Sequence, residues 1–202
     1  MSGLTTPVLR EAIGRVRSKM VACQDELNSL DGQLGDGDIG VTLVNGFERM
    51  ESDAADLPED VGLAFLKCAQ ALTRAGGSSY ATLLATGFMA AAKEAKGQTE
   101  LGWDSVSSLL QAALDKMAER GKSALGDKTV LDALHAAQAA AGGKANPQDV
   151  LFAVDEAVDA ALAEFRERPC RQGRARIFAD KSVGMDDPGM VAFKRMVEAL
   201  AD

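Results

Sequence analysis

Three aspartates lie within eight residues of one another in the segment LDGQLGDGDIG, interspersed with four glycines. They are Asp31, Asp36 and Asp38. Carboxylates so close together repel one another unless a cation neutralises them, and glycine lets the backbone turn all three towards one point. Because a hard cation prefers oxygen ligands, the cluster predicts Mg²⁺ with phosphate groups as co-ligands. A solvated turn rich in Asp and Gly is the alternative.

Two glycine-rich segments further along the chain have features of phosphate sites. The sequence GGSS ends in Ser78 and Ser79 and begins a predicted helix, whose N–H groups and positive dipole end suit an anion. An ordinary helix cap is the alternative.

The sequence GKS at 121–123 resembles the end of a P-loop, but the first glycine of that motif would fall on Lys116, within a predicted helix. A P-loop is therefore excluded.

The segment from 169 to 187 carries most of the local basic charge and ends in two aspartates. The guanidinium groups of Arg174 and Arg176 suit a phosphate or the edge of a nucleotide, and Asp187 could accept hydrogen bonds from a ribose hydroxyl. The alternative is a solvated loop in which Asp187 caps the last helix.

His135, the one histidine, lies among alanines of a predicted helix and is interpreted as a packing or surface residue.

The composition excludes several classes of protein. The 202 residues are 47% apolar, 26% charged and 4% aromatic, which is typical of close-packed helices in a globular domain. The 30 acidic and 22 basic residues give a net charge of −8, so we expect no nucleic-acid partner and no membrane partner. Three scattered cysteines and a start without an apolar leader predict a cytoplasmic protein.

Apolar residues recur with helical spacing along the chain and predict eight helices and no strand. Thr6 and Pro7 are interpreted as the cap and first residue of the first helix. Four connections are rich in Gly or Asp, although helices of a bundle need only short polar loops, so these connections predict a site assembled from loops at one end. The predicted helices cover about 6–30, 42–53, 61–75, 78–97, 103–120, 129–141, 147–168 and 188–202.

Four segments occur together, and in this order, in one known family. LDGQLGDGDIG, GGSS, RGKSALGDKTVLDAL and GRARIFADKSVGMDDPG resemble the nucleotide-binding L subunit of bacterial dihydroxyacetone kinase, from about Leu30 to the C-terminus. The resemblance implies an all-α fold, an eight-helix antiparallel barrel or bundle, with a nucleotide and Mg²⁺ site formed by loops at one end. We expect residues 1–202 to be a single domain of this kind.

The resemblance also implies which residues form the site. Asp31, Asp36 and Asp38 would hold Mg²⁺, which we expect to be two ions, against the phosphates of ADP or ATP. Beyond these metal and phosphate ligands we expect no catalytic residue on this chain. The residues expected to line the nucleotide are Ile39, Gly40, Val41, Thr42, Ser78, Ser79, Gly121, Val130, Arg174, Asp187, Pro188 and Gly189.

The implied function is that of a phosphotransferase subunit. It presents the Mg²⁺-bound nucleotide to dihydroxyacetone or a related ketose held on a separate K-type subunit. The nucleotide is either ATP that exchanges in each cycle or ADP that a phosphocarrier subunit of the sugar phosphotransferase system rephosphorylates, and the residues do not choose between them. A homodimer is left open. The alternatives are a non-catalytic nucleotide-binding adaptor or regulatory subunit and a helical barrel that holds a hydrophobic ligand.

Three positions depart from the family pattern. Ile39 stands where the family usually has His, Thr42 where it often has Asn, and Tyr80 where Gly commonly follows GGSS. Ile39 cannot donate a hydrogen bond to a phosphate, so we expect weaker nucleotide binding or slower phosphoryl transfer. The aspartates are intact, so we expect the metal ligands to function. We expect Tyr80 to change the rim of the pocket or the partner surface.

Overall fold

The structure is a computed structural model that describes residues 3–76 and 78–201 and, at Arg174, the backbone alone. Gly77, the second glycine of GGSS, lies outside the described residues. Eight α-helices occupy most of the described chain, as the apolar periodicity predicts. Their bounds are α1 Thr6–Leu34, α2 Ile39–Ser52, α3 Val61–Arg74, α4 Ser79–Glu94, α5 Val106–Gly121, α6 Val130–Ala141, α7 Pro147–Arg166 and α8 Pro188–Ala201.

A short antiparallel ladder and three 3-10 helices complete the secondary structure of the described residues. Strand β1 (Leu4–Thr5) pairs with β2 (Glu100–Leu101), so the expectation of no strand is wrong for these four residues. Strands of two residues are too short to show the alternation of apolar and polar residues by which a strand is predicted. The 3-10 helices are Ala54–Asp56, Trp103–Ser105 and Arg174–Ser182.

Thr6 has a different role from the predicted helix cap. Thr5 is the N-cap residue of α1, and Pro7 lies in the first turn. Thr6 is buried, and its hydroxyl donates to the carbonyl oxygens of Pro58 (2.7 Å) and Glu59 (3.2 Å). The hydroxyl therefore joins the start of α1 to the connection between α2 and α3.

Helices α1 and α2 both extend further into the aspartate segment than predicted. Helix α1 continues to Leu34, and α2 begins at Ile39 rather than at Thr42. The glycines of this segment disfavour helix, and that preference led to the shorter prediction. Leu34 and Ile39 are both buried, so tertiary packing stabilises the extra turns.

The eight helices form a closed ring in which each helix packs on the next and α8 packs back on α1. Sequential helices that are packed side by side run antiparallel, so the ring is the expected eight-helix antiparallel barrel. The largest apolar cluster joins α1, α2, α3, α4 and α8, and a second joins α6, α7 and α8. None of the helices in the described ranges is long and apolar enough to span a membrane.

The alternating direction of the helices separates their connections into two opposite ends. The connections 35–38, 75–78, 122–129 and 167–187 each follow an odd-numbered helix and share one end, called here the loop end. These are the Gly- and Asp-rich segments of the sequence. Several hydrogen bonds join the last two of these connections, among them one from Gln172 Nε2 to the Lys122 carbonyl oxygen (2.7 Å). At the same end, Tyr80 Oη in the first turn of α4 donates to the Gly189 carbonyl oxygen in the first turn of α8 (2.9 Å).

Candidate functional site

The three clustered aspartates come together where α1 meets α2. Asp31 lies in the last turn of α1, Asp36 in the connection, and Asp38 immediately before α2. A carboxylate oxygen of each lies within 4.8 Å of one from each of the other two. Asp31 is half-buried, and its Oδ2 accepts a hydrogen bond from the backbone N–H of Asp38 (3.0 Å). Three carboxylates in this arrangement are a suitable ligand set for a hard divalent cation.

Two glycines permit this close approach of the carboxylates. A Cβ atom on Gly35 would collide with the Asp31 carboxylate. Gly37 has a φ of +75°, a backbone conformation that residues with side chains rarely adopt. Gly35 and Gly37 thus have the role predicted from the sequence, in which glycines let the backbone turn the three carboxylates towards one point.

A side chain from α1 holds the first turn of α2. Asn28 Oδ1 accepts hydrogen bonds from the backbone N–H groups of Gly40 (2.8 Å) and Val41 (3.3 Å). Such N–H groups have no partner within their own helix. Because Asp38 directly precedes this turn, Asn28 also positions one of the three carboxylates.

Tyr80 joins the beginning of α4 to the beginning of α8. Besides the hydrogen bond from its hydroxyl to the Gly189 carbonyl, its ring packs so closely on Gly189 that a Cβ there would lie 3.1 Å from a ring carbon. Ser78 and Ser79 directly precede Tyr80, and Pro188 directly precedes Gly189. Four of the residues predicted to line the nucleotide therefore lie beside this contact.

Asp187 caps α8 in an environment that favours its neutral form. Its Oδ2 accepts a hydrogen bond from the backbone N–H of Met190 (2.8 Å). Burial raises the pKa of this carboxyl to about 7, although the N–H groups of Met190 and Gly189 and the Lys128 ammonium act to lower it. A pKa near neutrality means that small changes around Asp187 alter its charge.

The turn before α6 is fixed by a buried aspartate. Asp132 accepts hydrogen bonds from the backbone N–H groups of Gly126 (2.6 Å) and Thr129 (2.9 Å). Thr129 and Asp132 form a reciprocal capping box at the start of α6. Burial raises the pKa of the Asp132 carboxyl, and the two N–H groups oppose that rise.

Lys128 lies within the same turn and is 1% exposed. Its ammonium donates to three backbone carbonyl oxygens, those of Arg166 (3.1 Å), Arg168 (2.8 Å) and Ser182 (2.7 Å). Burial lowers the pKa of this ammonium, and the nearby thiol of Cys170 is the first of several acidic groups that oppose the effect. The connection between α5 and α6 is thereby tied to the connection between α7 and α8.

All residues predicted to line a nucleotide lie at the loop end. They occupy the first turns of α2, α4, α6 and α8, the last residue of α5, or the connections 75–78 and 167–187. The side chains of Ile39 and Val130 are buried in apolar clusters, so a ligand would meet their backbone. The Arg174 side chain lies outside the described residues. Nucleotide contact by these residues stays a prediction.

Three residues that organise the loop end were not singled out from the sequence. Asn28 lies in a uniform helical segment without a motif, so no local signal indicates its role. Lys128 and Asp132 are part of the quoted segment GDKTVLDAL, and that segment was the available signal. Their partners lie in other connections or in the backbone, which spacing alone does not reveal.

In its described residues the protein is an all-α barrel, a ring of eight antiparallel helices with an acidic site at the loop end. The chain belongs to the DAK2 domain family, whose family model matches residues 33–202.

Two relatives differ greatly in length. The chain is 29% identical to the triokinase/FMN cyclase of Mus musculus, over 99% of this chain and 35% of that protein. It is 28% identical to the ADP-binding subunit DhaL of the PTS-dependent dihydroxyacetone kinase of Lactococcus lactis, over 98% of both chains. The chain thus spans about a third of the length of the mouse enzyme and nearly all of the bacterial subunit.

Solved structures share the fold. The dihydroxyacetone kinase of C. freundii in its native form superposes with a TM-score of 0.79 at 23% identity, over 100% of this chain and 35% of that chain. The same kinase in complex with AMP-PNP and Mg²⁺ gives a TM-score of 0.73, over 34% of that chain.

Proposed function

We propose that this chain is the nucleotide-binding subunit of a ketose kinase and binds ADP or ATP with Mg²⁺ at the loop end. The observation that carries the proposal is the approach of Asp31, Asp36 and Asp38 to within 4.8 Å of one another beside the first turn of α2. Asp31, Asp36 and Asp38 would hold Mg²⁺, which we expect to be two ions, and oxygens of the nucleotide phosphates would serve as further ligands. When bound, the ions would neutralise the charge of the phosphates.

The other residues of the loop end bind and orient the nucleotide in this proposal. Backbone N–H groups at Ser78 and Ser79, where α4 begins, donate hydrogen bonds to the phosphate oxygens. The guanidinium of Arg174 offsets negative charge, and Asp187 accepts hydrogen bonds from the ribose. Phosphoryl transfer needs little from a protein beyond positioning and charge neutralisation, and these residue types meet that need.

We further propose that the acceptor, dihydroxyacetone or a related ketose, is held on a separate K-type subunit that supplies the base. The Lactococcus lactis relative of equal length is named as one subunit of such a kinase, which supports a division of labour between chains. That relative is named as ADP-binding and PTS-dependent. The name favours ADP as the resident nucleotide, rephosphorylated by a phosphocarrier, over ATP that exchanges in each cycle.

Calorimetric titration with ADP and ATP, with and without Mg²⁺, tests the binding site. For Asp38→Asn, which keeps the size of the side chain and removes its charge, we expect the Mg²⁺-dependent affinity for ADP to fall at least about tenfold. Asp25→Asn, on the exposed surface of α1, is the matched control and should bind ADP like the wild type. Equal affinity of wild type and Asp38→Asn would exclude Asp38 as a metal ligand and contradict the proposed three-aspartate site.

A second candidate function is a nucleotide-binding adaptor without turnover. It is favoured by Ile39, an apolar and buried residue at the position where the family usually has a histidine. Phosphoryl transfer to dihydroxyacetone, measured with a K-type subunit present, separates the two functions. Transfer by the pair supports the kinase subunit, whereas bound ADP without any transfer supports the adaptor.

A further inference from the structure

The connection 167–187 has little apolar anchorage of its own. Among its described side chains only Cys170 and Ser182 are buried, and none belongs to the three apolar clusters of the barrel. Ile177, in its 3-10 helix, is 79% exposed. The position of this connection over the loop end therefore depends on polar contacts rather than on burial of apolar surface.

Lys128, in the connection 122–129, makes three of those polar contacts through its ammonium. The carbonyls of Arg166 and Arg168 lie at the C-terminal end of α7, where carbonyl groups lack partners within the helix and carry the negative end of its dipole. The carbonyl of Ser182 lies at the far end of the 3-10 helix. The Lys128 ammonium therefore holds both ends of the connection at one point.

An ammonium is well suited to this position because its three N–H groups match three carbonyl acceptors. In the part of the chain that the structure describes, no carboxylate lies within 4.0 Å of Lys128 Nζ, so carbonyl groups rather than an ion pair stabilise the charge. Two further bonds support the same contact: the backbone N–H of Arg171 donates to the Asp127 carbonyl (3.0 Å), and Gln172 Nε2 donates to that of Lys122 (2.7 Å).

We infer that Lys128 is a positioning residue that holds the connection 167–187 closed over the loop end, so that Arg174 and Asp187 reach a bound nucleotide. The inference rests on the proposed function, since it concerns the same nucleotide site. Lys128 acts through the backbone of the connection and does not itself touch the nucleotide. The aspartate cluster is built on α1 and α2, to which Lys128 makes none of these bonds, so we expect its metal affinity to stay unchanged when Lys128 is replaced.

Three variants test this role. Lys128→Met keeps the length of the side chain but removes the ammonium. Lys194→Met is the matched control, because Lys194 is also buried and bonds to Asp155 (2.8 Å) and Asp159 (2.7 Å) on α7, within the barrel wall. Gln172→Ala removes a half-buried side chain that bonds the connection 167–187 to the Lys122 carbonyl. This variant still tests the role of the connection if Lys128→Met does not fold.

Three measurements are made on each variant: ADP affinity in the presence of Mg²⁺, Mn²⁺ affinity without nucleotide by electron paramagnetic resonance, and the rate of tryptic cleavage between 168 and 181. For Lys128→Met we expect ADP affinity to fall about tenfold or more, Mn²⁺ affinity to stay unchanged, and cleavage to accelerate. Gln172→Ala should also lower ADP affinity and accelerate cleavage, but by less than Lys128→Met does. Lys194→Met should lower the melting temperature and leave all three readouts at wild-type values.

Wild-type ADP affinity in both Lys128→Met and Gln172→Ala would overturn the inference. So would a parallel loss of ADP and Mn²⁺ affinity in Lys128→Met, since that pattern indicates general disruption of the fold. If wild-type protein binds Mn²⁺ but no ADP, the proposed function fails instead. The cleavage rates then still decide whether Lys128 holds the connection in place.

Discussion

Asp187 shows how one residue at the loop end combines a structural and a chemical role. It caps α8 through Met190 and lies near two buried charges of opposite sign, Lys128 and Asp132. Burial raises its pKa from an ordinary value of 3.8 to about 7, so the folded protein favours the neutral carboxyl. A residue expected to bond a ribose hydroxyl therefore changes charge within the neutral pH range.

This environment predicts a pH-dependent stability. Between about pH 4 and about pH 7 the folded protein retains a proton on Asp187 that the unfolded chain has released, so the contribution of this group to stability falls as pH rises. Asp187→Asn keeps a cap for α8 and removes the titration. We expect the variant to gain stability relative to wild type as pH rises towards 8, as measured by melting temperature. Parallel melting curves across this range would contradict the raised pKa.

At the scale of elements, the contact between α1 and α2 determines the geometry of the aspartate cluster. Gly40, in the first turn of α2, faces α1 so closely that a Cβ there would collide with the Gln24 carbonyl and lie 2.8 Å from Asn28 Oδ1. A backbone carbonyl within a helix cannot move aside as a flexible side chain can. The helices therefore approach as closely as they do because residue 40 has no side chain.

Two glycine substitutions on these helices should have opposite effects. Gly40→Ala forces α1 and α2 apart, so we expect a loss of about 1–3 kcal/mol in the free energy of unfolding and weaker Mn²⁺ binding. Gly14→Ala, within α1, places a Cβ no closer than 3.7 Å to its neighbour. It should add about 0.5–1 kcal/mol, because alanine favours helix over glycine. Chemical denaturation measures both, and equal effects would contradict the close contact at Gly40.

On the scale of the whole molecule, the ring separates stability from the candidate site. Apolar clusters along the barrel supply the core, and the loop end carries the clustered aspartates. The opposite end holds the β1–β2 ladder and the hydrogen bonds of Thr6 to Pro58 and Glu59. Substitutions at the two ends should therefore differ in their effects on ligand binding.

Thr6→Val tests this separation. The substitution keeps the shape of the side chain and removes a buried hydroxyl, so we expect a loss of about 1 kcal/mol in the free energy of unfolding. Its affinity for ADP with Mg²⁺ should match that of the wild type, because residue 6 lies at the other end of the barrel. A fall in ADP affinity measured well below the melting temperature would show that the two ends are coupled.

The sequence by itself determined the features that depend on neighbouring residues. Eight helices follow from apolar residues at helical spacing, and the described part of the chain confirms their number and approximate ranges. The aspartate cluster was also predictable, because three carboxylates within eight residues, with glycines between them, can turn towards one point. The contact between α1 and α2 then sets the geometry in which they meet. The order of the Gly-rich connections then places them at one end, since helix direction alternates around a barrel.

Only the tertiary structure decided the contacts between residues that are distant in the sequence. Tyr80 contacts Gly189, which lies 109 residues away, and Lys128 contacts Ser182, which lies 54 residues away. The tertiary structure also decided where α1 ends and α2 begins, because burial of Leu34 and Ile39 outweighs the low helix preference of the neighbouring glycines. Spacing shows only which residues are neighbours along the chain. Closure of the ring decides which carbonyl groups the Lys128 ammonium contacts and that burial raises the pKa of the Asp187 carboxyl.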